Sequence, residues 1–443
     1  MSNNENNEIR DSFTSKTGFI LACIGSAVGM GNIWLFPYRV GQFGGAAFLI
    51  PYIIFIVLLG YTGLMGEFAF GRMTQTGPIG SFKKALETRN KSWGGFLGII
   101  PVVGAFGIAV GYAVVVGWFL RFLGGFITGS AMSAADSGAY FGELASPFGS
   151  IIWHLLALIL VSIVLISGIS KGIETMNKIM MPAFYILFVI VMVRVFMLDG
   201  AFEGIKYLVV PKWSSLMEPK TWIYALGQAF FSLSLAGSGM IVYGSYLKRD
   251  VDIMSSAKNT VIFDTLGAFL AGLVIIPAVF AFNLDPASGP PLLFITIPSV
   301  FKLMPFGRLF GVIFFISVLF ASITSLMNLL EVPIEAVQST FKLKRKLSVF
   351  IVVGAAFIFG LFAEDGNNLG VLMDFVSIYI IPIGAFIAAV MFFWVIGIEK
   401  AKSEIECGTD KKLGKLFEIS AKYVFVFLTI FVFIAGILLG GIG

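Results

Sequence analysis

Residues Gly25–Trp34 read GSAVGMGNIW, and they lie in the middle of an apolar run that extends over residues 17–41. Three glycines and two small polar residues, Ser26 and Asn32, break a segment that is otherwise long enough to cross a bilayer. Glycine lets the backbone leave helical geometry. Unwound backbone at membrane depth survives only where protein buries it or where it lines a cavity. A second stretch, Ser232–Gly239 with the sequence SLSLAGSG, interrupts the run 222–246 in the same way. Two interrupted spans in corresponding positions point to a transport site near the membrane midplane.

The rest of the chain agrees with that setting. It has 443 residues, 58% hydrophobic and 12% charged, whereas soluble domains carry about 25% charged residues. Apolar runs fall at 17–41, 45–72, 95–125, 149–168, 175–198, 222–246, 255–284, 308–337, 348–363, 370–397 and 419–441. That makes an all-α polytopic membrane protein with eleven transmembrane helices. The proline-bounded segment near 290–306 is too short to cross and is expected to form an extracellular hairpin. The interrupted spans are the first and the sixth, so spans 1–5 and 6–10 form a 5+5 inverted repeat with broken helices 1 and 6. The expected organisation is a cytosolic tail (1–16), a first repeat (17–198), a second repeat (199–398), a cytosolic loop (399–418) and a last span (419–443).

Lys and Arg concentrate in the loops after spans 2, 4, 6, 8 and 10, by about three to one over the opposite side. This puts the N-terminus in the cytosol and the C-terminus outside. The net charge of +5 is therefore a topology signal and implies no nucleic-acid partner. Cys23 and Cys407 form no disulfide or metal spacing. No phosphate-binding glycine loop or Walker lysine appears, so transport would draw on an ion gradient.

A broken helix offers opposed termini. The N-terminus of its second half favours a carboxylate, and unwound carbonyls suit a hard cation. Ser26, Asn32, Ser232 and Ser234 flank the breaks, and ASITS (Ala321–Ser325) adds the Thr324 and Ser325 hydroxyls. Each such hydroxyl could equally bond the carbonyl one turn earlier. Asp264 stands inside an apolar run, where a carboxylate is costly and signals function. His154 reads as a helix-packing residue, and Lys400–Lys415 as a solvated loop.

The run GSAVGMGNIWLFPYRVGQFGGAAFLIPY resembles the first span of the neurotransmitter:sodium symporter family. WIYALGQAFFSLSLAGSGMIVYGSYLKRD resembles its sixth span, ISKGIETMNKIMMPAFY its fifth and ASITS its eighth. The resemblance is nearest to bacterial amino-acid members, including an eleven-span tyrosine transporter. It implies Na+-driven uptake of an amino acid across the bacterial inner membrane by alternating access. It further implies two sodium sites, the first built from Ala27, Asn32, Ser232 and Asp264 with the substrate carboxylate. The second would use Gly25, Val28, Ala321, Thr324 and Ser325. Tyr112, Met30 and Gly31 would meet the substrate carboxylate. Ser26, Ala27, Phe231, Ser232 and Ser234 would receive the amino group or wall the pocket, and Ile108, Gly237, Ser325 and Leu329 would shape the side-chain end.

Departures from the family pattern sharpen the expectation. Asp264 replaces the usual asparagine and could cancel the second positive charge, which implies chloride independence. Gly29 takes the place of an aspartate found in amine transporters, which favours a substrate bearing its own carboxylate. Gly237 replaces a pocket phenylalanine and leaves room for a large hydrophobic or aromatic amino acid, tyrosine first. The outer-gate arginine is Leu35 here, so Arg39 could reach Asp374 instead, beside Gln228. Arg10, Phe13 and Tyr246 match the inner gate, whose aspartate aligns with Ser339, leaving Glu335 as a substitute. The alternatives are a Na+ symporter for another neutral amino acid, such as tryptophan or leucine, and a non-transporting membrane amino-acid sensor. An enzyme has no supporting motif, and oligomeric state is left open.

Overall fold

A computed structural model describes residues 11–235, 238–287, 289 and 291–442, and every regular element among them is helical. The principal helices are α1 (Lys16–Ala27), α2 (Gly31–Gln42), α3 (Ala46–Thr74), α4 (Pro78–Glu87), α5 (Gly94–Thr128) and α6 (Ile151–Ile166). There follow α7 (Ile169–Phe196), α8 (Ala201–Val209), α9 (Pro219–Ser232), α10 (Gly239–Gly244) and α11 (Ile253–Ala281). The last are α12 (Leu292–Leu303), α13 (Gly307–Phe341), α14 (Arg345–Phe362), α15 (Gly366–Ile405) and α16 (Lys415–Leu439). Among the described residues, eight helices are long and apolar enough to cross a membrane, or nine if α1 and α2 count as one bent span. The long apolar runs form helices because only a helix satisfies its own backbone in lipid.

The first interrupted run is broken, with α1 and α2 meeting at a 51° bend. The second stops at Ser232 and resumes at Gly239. Two 35-residue helices, α5 and α13, pack along one another beside these breaks. Close approach of α5 to α6 depends on glycine. A Cβ on Gly117 of α5 would come 2.7 Å from the His154 backbone nitrogen of α6.

Three boundaries differ from the hydropathy reading. The run 175–198 is part of a helix that begins at Ile169, directly after Gly168, whose φ of +92° turns the chain back from α6. The short segment near 290–306 is helical over Leu292–Leu303. The run 370–397 belongs to α15, which continues to Ile405 and into the segment read as a solvated loop. Ala401 and Ile405 are fully buried there, and Glu404 pairs with the buried Arg72 of α3 at 2.6 Å. An amphipathic turn carries too few apolar residues to register in a hydropathy window.

The two acids after α14 have separate duties. Glu364 is buried, accepts the Ser150 N–H at 3.2 Å and lies 3.2 Å from His154 Nδ1, so His154 has a charged partner as well as packing. Asp365 caps α15 by accepting the Asn367 and Asn368 N–H groups.

Near the other ends of the helices, the fully buried Glu331 of α13 receives both terminal nitrogens of Arg345, at 2.9 and 2.7 Å. Removing one partner of such a pair strands the other. Arg345→Ala should therefore lower stability by about 3–5 kcal/mol, and Glu331→Gln combined with Arg345→Met should cost less than Arg345→Ala alone. Thermal unfolding midpoints of the detergent-solubilised variants test the order.

Candidate substrate and cation site

The break after α1 begins where the backbone hydrogen bonds change partners. A continuous helix would give the Gly29 N–H to Gly25 and the Met30 N–H to Ser26. Instead Gly29 donates to Asn32 Oδ1 at 3.2 Å and Met30 donates to the Tyr112 hydroxyl of α5 at 3.0 Å. The Asn32 N–H goes to the Gly29 carbonyl at 3.1 Å and so leaves Val28. The displaced Ser26 carbonyl accepts two hydroxyls, Ser234 Oγ at 2.9 Å and Ser325 Oγ at 2.8 Å. The Gly25 and Val28 carbonyls lose their regular helical donors as well. The helix restarts at Gly31 in a wide π-type turn over Gly31–Leu35, a form that marks functional sites.

The second break is stitched to the first by Asp264 of α11. Asn32 Nδ2 donates to Asp264 Oδ1 at 2.8 Å, and Ser232 Oγ donates to Asp264 Oδ2 at 2.9 Å. All three residues are buried. Tyr52 of α3 donates to Ser232 Oγ at 3.4 Å, and Gln228 Nε2 of α9 donates to the Gly31 carbonyl at 2.8 Å. Ser234 and Ser238 take φ values of +53° and +54°, a region that costs a non-glycine residue about 1 kcal/mol or more. The Ser234 hydroxyl bond to Ser26 offsets part of that cost.

A cavity lies between the breaks, α5 and α13. Ten of the twelve residues assigned to substrate in the sequence line it: Ser26, Ala27, Met30, Gly31, Ile108, Tyr112, Phe231, Ser234, Ser325 and Leu329. Ser232 sits behind the wall on Asp264, and Gly237 lies outside the described residues. The cavity lining is mixed: Ser26, Tyr112, Ser234 and Ser325 are polar, and Ile108, Phe231 and Leu329 are apolar. Asn328, Val332 and Ile381 also line the cavity and were not anticipated. A signal for Asn328 exists, since it lies one turn beyond Ser325 on the same helix face.

Thr324 of α13 lies beside Gly25, where an added Cβ would come 2.9 Å from the Thr324 Cβ, and Ser325 reaches the Ser26 carbonyl next to it. Thr324 Oγ1 donates to the Ala321 and Phe320 carbonyls at 2.9 and 3.0 Å, which orients its lone pairs away from its own helix. Among the described residues no group of three or more His, Cys, Asp or Glu could hold a metal. The available donors are neutral oxygens and one carboxylate, a set that suits a hard monovalent cation.

The proposed gate residues are arranged differently from the sequence reading. Arg39 stacks over Tyr224 with 4.3 Å to the ring centroid and donates to Gln42 at 3.0 Å. Among the described residues, no ion pair joins it to Asp374. Gln228 faces Gly31, as above. Beside the N-terminal segment Phe13 donates its N–H to the Tyr246 carbonyl and packs on Tyr243. The Tyr246 hydroxyl donates to Glu331 at 2.8 Å, so Glu331 with Arg345 stands where Glu335 was expected. Glu335 instead lies against Thr76 and Gly77. Arg10 is outside the described residues. Glu67 of α3, also unforeseen, turns its buried carboxyl toward the backbone of Met240 and Ile241. Both Glu67 and Glu331 sit in apolar runs, the signal that singled out Asp264.

Comparison with known proteins bears on this arrangement. The model of the sodium:neurotransmitter symporter family matches residues 10–132 and 141–439. The uncharacterized sodium-dependent transporter YhdH of Bacillus subtilis is 36% identical over 432 residues, covering 94% of each chain. An uncharacterized sodium-dependent transporter of Methanocaldococcus jannaschii is 32% identical, covering 98% of this chain and 92% of that one. The crystal structure of MhsT in complex with L-phenylalanine superposes with a TM-score of 0.87 at 34% identity, covering 96% of this chain and 99% of that one. Helices interrupted around a shared cavity, together with matches along nearly the whole length, place the chain in the sodium:neurotransmitter symporter family, as a multi-pass Na+-coupled membrane transporter and not an enzyme.

Proposed function

We propose that the chain imports a large hydrophobic or aromatic amino acid together with Na+ by alternating access about the cavity between its two breaks. The observation that carries this is the mixed lining of that cavity. The Tyr112 hydroxyl beside the Met30 N–H offers a place for a carboxylate, and Ile108, Phe231, Leu329, Val332 and Ile381 supply apolar wall beside Ser26, Ser234, Ser325 and Asn328. MhsT was crystallised with L-phenylalanine, which supports the aromatic class as a whole over tyrosine alone. Tyrosine, phenylalanine, tryptophan and leucine are the candidates to compare.

Two sodium ions are proposed. The first takes the Ala27 carbonyl, Asn32, Ser232 and Asp264 beside the substrate carboxylate. The second takes the Gly25, Val28 and Ala321 carbonyls with Thr324 and Ser325. Ions and substrate share ligands, so each raises the other's affinity by the same factor. Loaded sites favour an occluded state that the half-loaded protein avoids. The proposed frame has eleven spans with two inverted halves, 17–198 and 199–398, the N-terminus inside and the C-terminus outside. Phe13, Tyr246, Glu331 and Arg345 would latch the inner side, and Arg39, Gln228 and Asp374 would line the outer path.

Uptake of labelled phenylalanine and tyrosine into proteoliposomes should require an inward Na+ gradient. Equal uptake from potassium medium would overturn the reading. Asp264 supplies the negative charge that offsets the second ion, so uptake should persist when gluconate replaces chloride. Asp264→Asn should lose about tenfold or more in gluconate, the scale of one uncompensated buried charge, and recover with chloride. Gly237→Phe should shift preference from aromatic substrates toward leucine by roughly 10–100-fold, measured by competition with a panel of unlabelled amino acids.

A further inference from the structure

We propose that the side-chain oxygen of Asn177, in α7, is an additional ligand of the sodium ion held between the α1 break and α13. The assignment rests on the cation site described above and adds to it a contribution from a third element. Asn177 is completely buried in the first half of α7. Its Nδ2 donates to the Ile173 carbonyl at 2.8 Å, and this bond fixes which way the amide faces. Oδ1 is left as an acceptor with no donor among the described residues. A buried amide oxygen without a partner costs about 1–3 kcal/mol.

That oxygen points at Gly25. A Cβ placed on Gly25 would run into Asn177 Oδ1 on one side and come 2.9 Å from Thr324 Cβ on another. Glycine at 25 therefore keeps open the space that the amide oxygen enters. The Gly25 carbonyl has lost its regular helical donor because the Gly29 N–H turns to Asn32. The Thr324 proton is committed to carbonyls of its own helix. Acceptors from α1, α7 and α13 thus converge with no donor to share among them, which is the arrangement a cation resolves. Asn177 also stands one turn from Glu174, whose carboxylate holds the Thr14 N–H and the Ser15 hydroxyl of the N-terminal segment. Any separation of α7 from α1 then removes a ligand and a tether together, so ion occupancy favours the closed packing of these helices.

The test titrates Na+ against choline at constant ionic strength, using the purified full chain and labelled phenylalanine. Asn177→Ala should raise the half-saturating Na+ concentration about tenfold, the low end of what one polar contact to a charge is worth. Phenylalanine affinity at saturating Na+ should stay unchanged. The Na+-dependent rise in thermal unfolding midpoint, measured without substrate, should shrink in parallel. Asn177→Asp, which adds charge at the same place, should lower the half-saturating Na+ at pH 8, and it decides the matter if the alanine variant does not fold. A Na+ dependence unaltered in both variants, beside a wild type that requires Na+, overturns the assignment and leaves the site reading standing. Equal wild-type binding in Na+ and choline would remove the site reading itself.

Discussion

A helix interrupted inside a bilayer exposes N–H and C=O groups that lipid cannot satisfy, and the organisation of this chain follows from meeting that demand. The Gly29 and Met30 N–H groups are taken by Asn32 and Tyr112, and the Ser26 carbonyl by Ser234 and Ser325. None of these partners is free to leave without orphaning a buried group. The helices α1, α2, α5 and α13 are thereby held in register around one point. The carbonyls at Gly25 and Val28 are the ones that the proposed function gives to the second sodium ion.

Asp264 makes the two breaks one unit. Its two oxygens accept from Asn32 on one side and Ser232 on the other, so a change in either break is felt by its partner through a single carboxylate. A buried carboxylate held by neutral donors is expensive on its own. It is tolerable where a cation completes its surroundings, and under the proposed function this ties its energetics to ion binding. Glu331 shows the contrasting solution: its charge is met by Arg345 and Tyr246, and it serves as a latch between helices.

Much of this was legible in the residues before any coordinates. Glycines clustered with small polar residues in the middle of a span marked both breaks, and Asp264 stood out as an acid in an apolar run. Tyr112 was recognisable only through resemblance, since a lone tyrosine in a span carries no signal of its own. Val332 and Ile381 were invisible because apolar residues from distant helices share a wall only after folding. The extension of α15 to Ile405 escaped because one buried face, Ala401 and Ile405, is diluted by charged neighbours. Glu331 displaced Glu335 because only the fold shows which of two acids one turn apart faces Tyr246 and Arg345.

The partners of the first break come late in the chain. Ser234 lies 208 residues beyond Ser26, Asp264 lies 232 beyond Asn32, and Ser325 lies 299 beyond Ser26. During synthesis the N-terminal segment therefore enters the membrane before these three partners exist, with only Asn32 of its own sequence at hand. At that stage an uninterrupted helix is the form that satisfies its own backbone. The kink is acquired afterwards, as the later helices dock and exchange intrahelical bonds for their own hydroxyls and amide. Maturation of this transporter thus ends with a local unwinding, and a truncated nascent chain lacking its second half has no means of making the cavity.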